Sequence, residues 1–211
     1  MKRFKKFLII FLLFSIYVSI SIFSYSKTVS DNISNSVFRL HIIANSDSEQ
    51  DQNLKFAVRD NLISYMNSIC TDVSSKDEAI KVATEHLENL KKVAQDVIQE
   101  NGFDYNVALE IGNFDFPTKN YGDIHLPAGF YDALKVKIGN ASGKNWWCVL
   151  FPSLCFVDIS DGILPQESKK DIQNSLDNEE YELISSESPK YKLKFKVVEL
   201  FENAKITLAK K

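Results

Sequence analysis

The first 26 residues constrain this chain most. Lys2, Arg3, Lys5 and Lys6 form a compact positive cluster, and residues 7–26 then contain no charge. Residues 7–23 are almost wholly apolar apart from scattered serines. Charges are costly in hydrocarbon, and basic flanks stay on the cytoplasmic side of a bilayer. The segment therefore predicts an exported chain, N-terminus inside and everything after Lys27 on the far side of a membrane. The run is longer than the apolar region of an ordinary signal peptide and short for a comfortable span. Ser24 and Ser26, or Ser19 and Ser21, fit a cleavage site imperfectly. Both a cleaved signal and a retained anchor stay open.

Beyond residue 26 the chain carries 21 Lys and Arg against 28 Asp and Glu, a net charge of −7. That acidity excludes a general nucleic-acid binder. The remaining length suits one domain able to bury a core. Few Gly and Pro and abundant Phe, Ile and Leu argue against disorder.

Residues 27–36 are polar and read as a tether. Residues 37–44 (VFRLHIIA) are apolar and β-branched, which predicts a strand. Asn45-Ser46-Asp47-Ser48 interrupts it, and Ser48 with Asp51 resembles a capping box. Leu54, Val58, Leu62, Tyr65, Met66 and Ile69 then recur at helical spacing, predicting a helix over 51–69. A second box, Ser75 with Glu78, opens a longer helix. Its stripe is Ile80, Ala83, Leu87, Leu90, Ala94, Val97 and Ile98, and Asn101-Gly102 stops it. After Gly102 the period becomes two, predicting strands at 105–111, 130–138 and 146–157, with 139–143 as a hairpin turn between the last two.

The expected fold is α+β: a single domain with a mostly antiparallel sheet and two long helices on one face, behind an N-terminal signal or anchor. Its parts are a signal peptide or anchor (1–26), tether (27–36), core domain (37–158), acidic linker with a short helix near 166–176 (159–189) and basic amphipathic tail (190–211). The tail fits a strand and a helix equally well.

No catalytic constellation is visible. His41, His86 and His125 are far apart in sequence, none in a metal-ligand pair, and there is no phosphate loop, GxSxG or HExxH motif. The expectation is no metal, no cofactor and no small-molecule substrate. Cys148 and Cys155 lie on the exported side, where disulfides persist. A hairpin at Phe151-Pro152 would set them opposite each other, and two buried thiols are the other reading. Trp146 and Trp147 are adjacent in a strand, so they face opposite ways. One enters the core; the other meets solvent, a covering layer or a partner. Asn45 and Asp47 are candidate contacts, or simply the start of the helix.

Three longer blocks carry a resemblance: FRLHIIANSDSEQDQNLKFAVRD (38–60), FPTKNYGDIHLPAGFYDALKVKIG (116–139) and NWWCVLFPSLCFVD (145–158). Together these resemble the stage II sporulation protein R family of endospore-forming bacteria. The resemblance implies a protein made in the forespore and exported into the space between the forespore and mother-cell membranes. There it would activate a membrane-embedded aspartic protease that cleaves the precursor of the mother-cell sigma factor E. Two other readings stand beside it: a cell-envelope cysteine hydrolase using Cys148 or Cys155 with a histidine, and an envelope adaptor binding peptidoglycan or lipid through the basic tail.

Overall fold

A computed structural model describes residues 2–152, 166–176 and 178–185. Helix α1 (Lys2–Ser36) is followed by β1 (Phe38–Ile43), α2 (Glu49–Ile69), α3 (Lys76–Glu85) and α4 (Leu87–Glu100). Then come β2 (Val107–Phe116), the short β3 (Lys119–Tyr121) and β4 (Ile124–Leu126), β5 (Gly129–Ile138) and β6 (Asn145–Phe151). Helices α5 (Gln166–Ser175) and α6 (Asn178–Ile184) end the described chain. The main sheet has the order β2-β5-β1-β6, and β3 and β4 pair separately. All pairs are antiparallel except β1 with β5. The fold is the expected mostly antiparallel α+β domain.

Alternation along the strands gives the sheet two different faces. Leu40, Ile42, Leu134, Val136 and Ile138 face a first core built with Leu54, Val58 and Leu62 of α2 and Leu90, Ala94 and Ile98 of α4. Both helix starts are capped as the sequence suggests: Ser48 Oγ accepts from Asp51 N–H and Ser75 Oγ from Glu78 N–H, each at 3.2 Å. A second core lies on the opposite face. There Tyr131, Ala133 and Val149 of the sheet meet Val29 and Ile33 of α1, Ile124 and Leu126 of β4, and Ile172, Leu176 and Ile184 from α5 and α6.

Four expectations change. Residues 27–36 are no tether: α1 continues through them, because Val29, Ile33 and Val37 recur at four-residue spacing and bury into the second core. The long second helix is two helices broken at His86, whose φ of −102° and ψ of 13° leave the helical region. Periodicity reports which face is apolar and is blind to a one-residue change of axis. Residues 139–143 do not close a hairpin, since β1 lies between β5 and β6. The connection instead wraps the end of β1, with Gly143 N–H donating to Ala44 O (2.9 Å) and Ser142 N–H to Asn45 O (3.3 Å). Finally, the acidic segment holds α5 where the short helix is expected and also α6. Both pack on the domain, with Lys169 paired to Asp123 at 2.6 Å and Asn32 Nδ2 donating to Glu180 at 2.6 Å. Strand β6 ends at Phe151; the expected continuation to 157 and the basic tail 190–211 lie outside the described residues.

Candidate interaction site

The edge strand β6 carries most of the sequence-selected residues. Its pairing with β1 sets Trp146 opposite Ile42, Trp147 opposite His41 and Cys148 opposite Leu40. Trp146 therefore lies on the α-helical face. It meets Phe56 edge-on at 5.4 Å between centroids, and the Arg59 guanidinium sits 4.5 Å from its ring. Trp147 lies on the other face, stacked on His41 at 3.7 Å and edge-on to Phe116 at 4.8 Å. Both tryptophans are half-buried. Neither is wholly a core residue nor wholly free.

His41 is buried and its Nε2 lies 2.7 Å from Asn145 Oδ1. An amide oxygen only accepts, so Nε2 carries the proton and Nδ1 keeps the lone pair. Burial lowers the His41 pKa to about 4, against the opposing hydrogen bond that Nε2–H donates to Asn145, and Lys135 and Arg39 add repulsion. The ring is neutral at pH 7.

Two residues before it on the same face, Arg39 is fully buried. Sequence reasoning passed over this residue, although an arginine in the middle of an apolar strand was a readable signal. Its Nη2 donates to Tyr121 Oη at 2.6 Å, and Nε makes a long contact of 3.5 Å to Cys148 O. The guanidinium lies 4.1 Å from the Phe116 ring centroid and 4.6 Å from that of Tyr131. Desolvated cation–π contacts of this kind contribute about 2 kcal/mol each and help offset the burial of the charge. Among the described residues no carboxylate pairs with Arg39, and its Nη1, like Nδ1 of His41, has no hydrogen-bond partner.

The Asn45–Ser48 corner is occupied internally. Asn45 donates to Asp51 (2.8 Å) and accepts from Asn140 N–H (2.9 Å), while Asp47 accepts from Lys144 N–H at 2.7 Å. Burial raises the Asp51 pKa, yet donors Ser46, Asn45, Tyr105 and Ser48 outweigh it and hold the carboxylate below its usual range. This corner locks β1, α2 and the 139–144 connection together, which uses the hydrogen-bonding capacity a partner would need.

Cys148 is disulfide-bonded and Cys70 is free, its thiol pKa raised by burial. Cys155, the expected partner of Cys148, lies outside the described residues. Cys148 belongs to the first core and His41 projects from the opposite face, so this pair cannot form a nucleophile and base. His86 Nδ1 meets Tyr65 Oη at 3.0 Å, and His125 Nδ1 meets Asn120 Oδ1 at 2.7 Å. Among the described residues no cluster of His, Cys, Asp or Glu has metal-binding geometry.

An apolar helix of membrane-spanning length running directly into a three-layer α+β domain defines a domain that carries its own signal or anchor. The profile of the stage II sporulation protein R family matches residues 34–161, a stretch that contains β1 through β6, and the chain belongs to that family. It is 40% identical over 140 residues to the stage II sporulation protein R of Bacillus subtilis (strain 168). That match covers 65% of this chain and 62% of the relative, so less than two thirds of the relative's length is spanned. No solved structure matches the chain. Membership supports a role in sporulation.

Proposed function

We propose that this protein is an exported signal of endospore formation that works by binding. In this reading the basic N-terminus stays in the forespore cytoplasm, and the α+β domain sits in the space between the forespore and mother-cell membranes. The domain turns on a membrane-embedded aspartic protease that processes the sigma factor E precursor. The observation that carries the reading is the family match over residues 34–161, joined to an apolar helix that enters the second core without a break. A ligand activates a receptor by binding its active state more tightly than its inactive one. A domain docked rigidly on its own membrane helix presents its surfaces to such a receptor at a defined height and orientation. The envelope-hydrolase reading needs a nucleophile and base within reach, and no observation favours it. The adaptor reading rests on the tail, which lies outside the described residues.

The test is co-expression of the full chain, the candidate protease and the sigma factor precursor in a non-sporulating host, scoring precursor cleavage. Cleavage should require this chain, and deletion of residues 1–26 should abolish it by leaving the domain in the cytoplasm. Cleavage triggered equally by the truncated chain would sink the proposal.

A further inference from the structure

The strand register lines up side chains in rows across the second sheet face. One row is Glu110, Lys135, His41 and Trp147; the next toward the top of the sheet is Ala108, Lys137, Ile43 and Asn145. The second core covers the lower rows through Ala133, Val149 and Tyr131 and has Trp147 at its rim, while Ile43, Lys137, Ala108 and Asn145 lie outside it. In the upper rows Ala108, Glu110 and Asn145 are exposed and Ile43, Lys135, Lys137 and Trp147 are half-buried. No described element packs over this half of the sheet.

Its charge runs against the rest of the protein. Lys135 and Lys137 share one carboxylate, Glu110, at 3.8 and 2.8 Å. One row below, Arg39 is buried without a counter-ion among the described residues, and its Nη1 has no hydrogen-bond partner. Three cations against one anion leave a local excess of positive charge in a chain whose net charge is −3. A buried, uncompensated guanidinium is only weakly screened by solvent, so it adds to the potential over this face.

We infer that the open half of this sheet face, around Lys135, Lys137, Ile43 and Trp147, docks an acidic segment of a protein partner. Carboxylates of the segment meet the two lysines, and an apolar side chain between them rests on Ile43 and the outer face of Trp147. Charge argues against the chain's own tail as occupant, because residues 190–211 carry seven Lys and two Glu. This inference rests on the proposed function, which supplies the protease as the receptor.

The experiment uses the full chain in the same co-expression assay. Reversing the lysines together, Lys135→Glu with Lys137→Glu, should lower precursor cleavage by on the order of tenfold or more, because like charges across an interface oppose binding. Glu110→Gln removes the only carboxylate in the patch among the described residues and should raise cleavage at limiting expression, a gain that a merely structural residue would not produce. Both variants should melt with the wild type. A photocrosslinking residue at position 137 should trap the protease through a peptide containing Asp or Glu, and one at Lys91 on α4 should not. Crosslinks to residues 153–165 or 186–211 of the same chain, or to a second copy, would overturn the inference. So would full activity of the double reversal. If the wild-type chain itself triggers no cleavage, the proposed function falls and this inference falls with it; an active wild type with indifferent variants removes this surface alone.

Discussion

Replacing Ile33 with alanine tests whether α1 is part of the folded domain. Ile33 is fully buried in the second core, one turn after Val29 on the same helix stripe and before Val37 just past the helix end. The change removes three carbons, and at about 0.8 kcal/mol for each the transfer loss is about 2.4 kcal/mol. The cavity left behind raises the expected cost to about 3–4 kcal/mol, within the range seen for buried Ile or Leu truncation. The control is Ile16→Ala on the same helix, where the side chain is 47% exposed. Both variants gain the same small helix propensity, so their difference isolates burial. For a domain of this size about 2–4 °C accompanies each kcal/mol, which places Ile33→Ala about 6–16 °C below wild type while Ile16→Ala stays near it. Thermal unfolding of the full chain in detergent micelles, followed by circular dichroism, measures this. Melting of the two variants within about 2 °C of each other would refute the docked helix and restore a loose tether over 27–36.

Two further predictions follow from the site. His41 has a pKa of about 4 when folded against an ordinary 6.5, so between those values the unfolded chain binds more protons. Its contribution is complete above pH 6.5 and is lost as pH falls toward 4, up to about 3 kcal/mol in all; His41→Phe, which keeps a ring against Trp147, should flatten the fall in melting temperature between pH 6.5 and 5, and an unchanged slope would exclude His41 as its source. Alkylation of the denatured, unreduced protein should label Cys70 alone, with three cysteines labelled after reduction; three labels without reduction would refute the expected Cys148–Cys155 bridge.

Local chemistry made much of this protein legible. The capping serines Ser48 and Ser75, the helical stripe from Leu54 to Met66, and the opposite facing of Trp146 and Trp147 are consequences of short-range periodicity and hydrogen bonding. The blocks at 38–60, 116–139 and 145–158 were long enough to point to the family. Connectivity was not legible in the same way. Residues 139–143 look like a hairpin turn because a glycine-rich stretch between two apolar runs does not reveal whether a third strand lies between them. The Asn45–Asp47 corner looked available because the groups that occupy it, the backbone N–H of Asn140 and Lys144, are about a hundred residues away.

By itself the amino-acid sequence determined the apolar N-terminal signal or anchor segment, the class of fold, most of the elements and the family, because each depends on neighbours in the chain or on an ordered run of residues. Only the tertiary structure decided that β1 lies between β5 and β6, that α1 is built into the domain, and that Arg39 is buried without a counter-ion among the described residues. Those features depend on which distant segments meet. A side chain's charge is written in the sequence, but its compensation is set by the residues that packing brings within a few ångströms.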